Sequence, residues 1–263
     1  MVEISQDFVG VGRNLGNKLF TYAVGSIIAK RLGYALKLPN KSFIQRAGII
    51  EEFPFSGFKG KEITSPFISC YDGSFNNIDQ IVERGKGKKI ILSGYYLRYI
   101  NIKEDKKFVK TLYSSLTEKE YEKDSTIILL RNSRQDRTFK LPESYYLQQI
   151  EKLNVKKLYI SYDHYEEHKS LIDKLSKFNP EILNLNILQL FKKVTSMETI
   201  IASQGTFSFW SCFLSKAKQI IWPITKIGPN KTSDPNVNLV VDDEDRYKLW
   251  ICYCLWRWCL RRE

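Results

Sequence analysis

With 263 residues, 43% of them apolar and 27% charged, the chain can build one large core or two modest ones, and its composition is that of a globular protein, for which disorder is not the default. Its longest strongly apolar stretch, Leu249 to Leu260, is broken by Arg257 and falls well short of the ~20 residues that a membrane-spanning helix requires. A net charge of +12 raises nucleic acid, an anionic membrane or a phosphorylated ligand as partners. The basic residues are spread along the chain, however, and no zinc-finger, homeodomain or RNP pattern accompanies them, so no nucleic-acid partner is expected.

The opening run Met1-Val2-Glu3-Ile4-Ser5-Gln6-Asp7 carries acids where a secretory signal would carry basic residues, and the expected location is the cytoplasm. The five cysteines, Cys70, Cys212, Cys252, Cys254 and Cys259, are odd in number and show no Cys-x-x-Cys pair with partner histidines. Free thiols and no metal site are the expectation.

A first strand is expected before the glycine cluster at Gly10, Gly12 and Gly16, and a helix from Asn17 to Leu32 after it. Further along, strands are predicted at Lys89–Leu92, Thr126–Leu130, Lys157–Ser161, Thr199–Ala202 and Gln219–Trp222. Several are short continuous apolar runs, as expected of strands covered on both faces. Helices are predicted at Pro142–Leu153, Tyr165–Leu175 and Ile187–Val194, and Leu116–Glu120 reads as a capped helix start. Strands alternating with amphipathic stretches make an α/β fold with parallel strands. The charged stretch between Asp105 and Asp124 divides it into lobes at 1–115 and 116–263. The lysine groups at Lys86, Lys88 and Lys89 and at Lys103, Lys106, Lys107 and Lys110 read as solvated faces. The segment Asp242 to Glu263 starts acidic and becomes aromatic. It reads as a C-terminal helix packing Trp250, Tyr253 and Trp256 back onto the body, or as a helix lying on a membrane surface with Arg257, Arg261 and Arg262 at the headgroups.

Four motifs stand at strand ends. The first, Gly10-Val11-Gly12-Arg13-Asn14-Leu15-Gly16-Asn17, puts bare backbone and a helix N-terminus beside a pocket, where amides can meet an anion or sugar hydroxyls. It is neither the dinucleotide fingerprint, since the third glycine comes one residue late, nor a nucleoside-triphosphate loop, since it lacks Lys-Ser/Thr. Leu92-Ser93-Gly94-Tyr95-Tyr96-Leu97 is the second. The third, Leu129-Leu130-Arg131-Asn132-Ser133-Arg134-Gln135-Asp136, places an arginine just past the end of a strand, where open α/β sheets bind ligands, and its planar fork suits a diphosphate. Leu141-Pro142-Glu143-Ser144-Tyr145-Tyr146 follows it. In the fourth, Ile200-Ile201-Ala202-Ser203-Gln204-Gly205-Thr206-Phe207-Ser208, a strand end leads into a helix start whose N–H groups and hydroxyls can cradle phosphate. Gly, Ser and Thr there also make an ordinary helix cap.

Together these blocks resemble the α-1,2-fucosyltransferase family within the wider superfamily that includes the protein O-fucosyltransferases. The match covers Gly-Arg-x-Leu-Gly-Asn-x-Leu-Phe-x-Tyr-Ala with one additional residue, the Gly-Tyr-aromatic segment, a His-x-Arg-Arg-x-Asp motif followed by Leu-Pro-x-x-Tyr-Tyr, and Ile-Ile-Ala-Asn-Ser-Ser/Thr-Phe-Ser. It departs at Leu129, which stands for the motif His, and at Gln189, which stands where the family carries an Asp that helps read the nucleotide. The resemblance implies a GT-B architecture, two Rossmann-like lobes with a cleft between them, the first mostly meeting the acceptor and the second holding the donor. It implies an inverting glycosyltransferase that works without a metal or other cofactor and moves a sugar, fucose from GDP-fucose, to a glycan hydroxyl. By resemblance Arg131 and Arg13 carry the catalytic charge. Gly12, Gly16, Asn17, Asp163, Gln189, Gly205, Thr206, Phe207 and Ser208 contact the nucleotide sugar. The general base is left unassigned among Asp7, Glu51, Glu52 and Asp136. Two alternatives stand beside this reading: the same chemistry with a xylose, rhamnose or galactose donor, and a degenerate protein that binds carbohydrate or nucleic acid without catalysis.

Overall fold

The computed structural model describes residues 1–5, 15–39, 43–46, 49–71, 75, 77–131, 141–224, 239–241 and 243–251. The chain forms two compact units, one comprising Met1–Ser114 and the other beginning at Ser115. Both are α/β, with parallel sheets flanked by helices.

The N-terminal unit is built on four parallel strands in the order β2-β1-β6-β5: β1 (Val2–Ile4), β2 (Leu36–Lys37), β5 (Phe67–Tyr71) and β6 (Lys89–Ser93). A separate antiparallel hairpin pairs β3 (Phe43–Arg46) with β4 (Ile49–Glu52). Helix α1 (Leu15–Leu32) is apolar almost all round and is buried over most of its circumference, as a helix sandwiched on every side must be. It comes close to the sheet because Gly25 has no side chain. A β-carbon there would stand 3.1 Å from Leu36 and 3.4 Å from both Ile4 and Leu92. Helices α2 (Ile78–Gly85) and α3 (Lys106–Leu112) complete the unit. Tyr22 of α1 stacks on Phe55, and Tyr113 donates its hydroxyl proton to the Leu19 carbonyl at 2.5 Å, fixing the end of this unit to α1.

The C-terminal unit has six parallel strands: β7 (Glu122–Leu130), β8 (Lys157–Tyr162), β9 (Glu181–Ile182), β10 (Met197–Ile201), β11 (Gln219–Ile224) and β12 (Tyr247–Ile251). Their order is β12-β11-β10-β7-β8-β9. Counted within this unit alone, that is 3-2-1-4-5-6 read from β9, the doubly wound Rossmann-like order. Side chains alternate between sheet faces. Ile128, Leu130, Leu158, Ile160, Ile201 and Ile221 face α4 (Glu143–Lys152) and α5 (Tyr165–Leu175), through Tyr145, Tyr146, Ile150, Leu171 and Leu175. On the other face Trp222 meets Phe209 of α7 (Thr206–Leu214), whose Phe207 packs edge-on against Phe191 of α6 (Ile187–Thr195). Each large aliphatic side chain buried this way contributes about 1.5–3 kcal/mol before entropy is counted.

Two expectations fail here. Residues 114–116 form a single 3-10 turn, and no helix starts at Leu116–Glu120. The Glu118 N–H is taken by the Thr195 hydroxyl, a tertiary partner, and β7 begins at Glu122. The predicted C-terminal helix gives way, over Tyr247–Ile251, to an edge strand paired with β11 from Ile220↔Tyr247 to Ile224↔Ile251. Trp250 still packs on the body, with its ring 4.8 Å from that of Tyr145 within the same unit. Residues 252–263 lie outside the described residues. Among the described residues no helix is long and apolar enough to cross a membrane.

Candidate anion-binding site

In a sheet of this order, connections leave the middle strands in opposite directions at one point, and the C-terminal strand ends there open a crevice. In the C-terminal unit the two strands are β7 and β10, paired through Thr199↔Thr126, Ile200↔Ile127 and Ile201↔Ile128. Arg131 directly follows β7, and Ser203, Gln204 and Gly205 lead from β10 into α7.

Arg131 and Gly205 touch. A β-carbon on Gly205 would fall 2.0 Å from Arg131 Nη1 and 2.9 Å from its Cζ, so the guanidinium occupies the space a side chain would need. Gly205 holds φ 110° and ψ 171°, a conformation open essentially to glycine alone, and it is the N-cap of α7. The first N–H groups of a helix point out of its N-terminus with the positive end of the dipole behind them. The corner therefore combines an arginine fork, bare backbone and a helix N-terminus.

The electrostatics of Arg131 are unusual. Burial pushes its pKa below the ordinary arginine range, and the negative charge of Asp163 offsets only part of that. Among the described residues no hydrogen bond or ion pair reaches the guanidinium, although it remains a cation with five N–H donors. The side chain is half-buried, and an anion in the crevice would give its N–H donors charge-assisted partners.

The rest of the corner is braced. The hydroxyls of Ser203 and Ser208 lie 2.8 Å apart, both buried. Tyr145, from the Leu-Pro-x-x-Tyr-Tyr block, donates to the Ala202 carbonyl at 2.9 Å and stands 3.0 Å from that of Ile221, tying α4 to the end of β10 and to β11. Tyr146 is buried beside it, its hydroxyl 3.4 Å from the Leu129 carbonyl, and burial together with the charge of Asp163 raises its pKa far above the tyrosine range.

The structure thus brings together Arg131, Gly205, Thr206, Phe207 and Ser208, with Asp163 at the end of the neighbouring strand β8. Ser208 spends its hydroxyl on Ser203, and Thr206 is buried, so what this corner offers a ligand is chiefly backbone and the guanidinium. Gln189 sits in the first turn of α6. Its side-chain carbonyl accepts from the Asn186 N–H at 3.3 Å while Asn186 accepts from the Gln189 N–H at 2.8 Å, a reciprocal helix cap. Gly16 and Asn17 open α1 in the N-terminal unit, whose Thr21 hydroxyl donates to the carbonyl of Gly94 at the end of β6. Gly12, Arg13, Asp7, Arg134 and Asp136 lie outside the described residues. Glu51 and Glu52 belong to β4 of the N-terminal unit. Among the described residues no group of three His, Cys, Asp or Glu side chains is placed to hold a metal ion.

One residue of this region was not singled out in the sequence. His168, in the first turn of α5, is buried with its Nε2 3.6 Å from Asp163 Oδ1. Its only sequence signal is a histidine one helical turn into the helix that follows a strand-end carboxylate.

No protein-family model matches this chain, and no curated protein matches it significantly in sequence.

Proposed function

We propose that the C-terminal unit binds the diphosphate of a nucleotide sugar and that the chain is a glycosyltransferase of the two-lobed GT-B kind, similar to the α-1,2-fucosyltransferases. The observation that carries the reading is the half-buried guanidinium of Arg131 seated on Gly205 at the switch point of the sheet. A diphosphate presents acceptor oxygens on two tetrahedral phosphorus centres, and the planar fork of arginine can hold two of those oxygens at once.

When an acceptor hydroxyl displaces the nucleotide at the anomeric carbon, with inversion, negative charge grows on the departing diphosphate. Arg131 and the opening amides of α7 are fixed in advance where that charge develops, so they stabilise the transition state more than the ground state. Their positive charge takes the part that a divalent cation plays elsewhere, so transfer is expected to persist in excess chelator. The sugar is assigned as fucose carried on GDP by resemblance, and the acceptor glycan is assigned to the N-terminal unit on the same ground.

The test is a screen of GDP-fucose and of xylose, rhamnose and galactose nucleotides for transfer and for slow hydrolysis, in wild-type protein and Arg131→Ala. Loss of one oxyanion-type contact costs about 100- to 1000-fold in turnover. Turnover of any of these donors that is unchanged in Arg131→Ala refutes the assignment.

A further inference from the structure

Independently of the anion site, we propose that β5 is a dimerisation strand, its free edge pairing antiparallel with the same strand of a second copy of this chain. Strand β5 ends the order β2-β1-β6-β5, and among the described residues only β6 pairs with it. A sheet edge offers a row of N–H and C=O groups to any strand that reaches it, and proteins ordinarily blunt such edges with charges, a proline or a covering element. Here the run from Ile63 to Tyr71 carries no charged residue in a chain of net charge +12, and its one proline, Pro66, precedes the strand.

The hydrogen bonds to β6 fix which groups face outward. The Pro66 carbonyl accepts from the Lys89 N–H at 2.8 Å, and the Cys70 carbonyl accepts from the Tyr96 hydroxyl just past β6. Backbone groups alternate sides along a strand, so residues 66, 68 and 70 turn theirs toward β6 while Phe67, Ser69 and Tyr71 turn theirs to the free edge. Side chains alternate as well. Ile68 and Cys70 share a face with Ile90 and Leu92, against Gly85 of α2 and Gly25 of α1. Phe67, Ser69 and Tyr71 project from the opposite face, where Phe67 is 63% and Tyr71 59% exposed.

The pattern is self-complementary. Antiparallel pairing about Ser69 sets Phe67 opposite the partner's Tyr71, Tyr71 opposite the partner's Phe67, and Ser69 opposite the partner's Ser69. All three positions have outward backbone groups, so each pair exchanges two hydrogen bonds, and the register that joins the aromatics is the one that closes the ladder. A shift of one residue sets outward groups against inward ones and loses both. The contact is isologous and closes at two copies, joining two four-stranded sheets into one. Aromatic side chains present about 150–250 Å² each, so the four that meet bury at most about 500 Å². The strand edges supply the rest of the ~1,000 Å² that a specific interface needs, which makes the dimer weak, with a dissociation constant in the micromolar range.

The test is sedimentation equilibrium of the full chain over a concentration series of ~1–100 μM. Wild-type protein is expected to pass from monomer to dimer and no further. Phe67→Lys and Tyr71→Glu each remove both aromatic pairs and should raise the dissociation constant about 10- to 100-fold. In the double variant Phe67→Lys/Tyr71→Glu the register sets the new cation against the new carboxylate twice, so dimerisation should be tighter than in either single variant. Ser69→Arg and Ser69→Asp each set like charges face to face and should lose the homodimer, and mixing the two should restore a heterodimer. Rescue by complementary charge also shows that the single variants fold. A wild type that stays monomeric throughout, single variants that dimerise like the wild type, or a double variant no tighter than the singles each overturns the proposal. None of these results bears on Arg131 or on the diphosphate assigned to it.

Discussion

Gly205→Ala is the smallest change that strikes the site, since it adds one carbon. That carbon would stand 2.0 Å from Arg131 Nη1 and 2.9 Å from Cζ, far inside van der Waals contact, so the guanidinium must leave its seat. The backbone adds its own cost, because φ 110° with ψ 171° is a region where a side chain is strained by about 1–3 kcal/mol. For a domain of this size that lowers the melting temperature by about 2–12 °C. Moving the guanidinium forfeits a charge-assisted contact worth about 1.5–3 kcal/mol, so pyrophosphate affinity should fall about 10- to 100-fold. The two effects separate in a double-mutant cycle followed by thermal unfolding and calorimetry. On an Arg131→Ala background, Gly205→Ala should still cost the backbone strain but take away no further affinity. A folded Gly205→Ala protein that binds pyrophosphate like the wild type would refute the contact and the argument built on it.

Other outcomes follow from the same structure. Tyr145→Phe removes a buried hydroxyl shared between two carbonyls, those of Ala202 and Ile221, and should cost about 1–2 kcal/mol in denaturant unfolding with a smaller loss of pyrophosphate affinity. Glu122 is held by Lys157, Lys193 and Tyr159, and these partners outweigh desolvation to bring its pKa from 4.5 to about 2. Because the folded-state pKa is depressed, the stability Glu122 contributes is present above pH 4.5 and is lost as the pH falls toward 2. Glu122 is only 22% exposed, but its partner Lys157 is 54% exposed and solvent screens the pair, so Glu122→Gln should cost only about 1 kcal/mol at pH 7, and urea melts of the two proteins should converge near pH 2. A gap that stays constant across that window would contradict the assignment. Sugar transfer, measured with and without excess EDTA, should proceed at the same rate.

What the sequence disclosed depended on burial. Lys89–Leu92, Thr126–Leu130, Lys157–Ser161, Thr199–Ala202 and Gln219–Trp222 are central or near-central strands, apolar because both faces are covered, and each appears as a strand within a few residues of its predicted ends. Strands at the margins were illegible. The two-residue β2 and β9 leave no periodic signal, β5 exposes Phe67 and Tyr71, and the aromatics of β12 imitate a helical stripe until pairing with β11 decides otherwise. At the site, Arg131 was legible because an arginine directly after an apolar run must emerge at a strand end. Its contact with Gly205 was not, because it depends on β7 and β10 being neighbours, and strand order is a property of the whole sheet. Asn186-x-x-Gln189 carries the signature of a capping box, which the structure displays, and a family position read as nucleotide-reading sits on that same side chain. His168 went unremarked because a histidine's orphaned nitrogen exists only once the fold buries it.

The most direct measurement is the affinity for pyrophosphate of the wild-type protein against Arg131→Lys and Arg131→Ala, by calorimetry at fixed salt. If an unpaired guanidinium on Gly205 is the seat of a diphosphate, affinity should drop about 10- to 100-fold in Arg131→Ala, with Arg131→Lys in between because a point charge replaces a fork. Three equal affinities, or no binding by the wild type, would contradict the account.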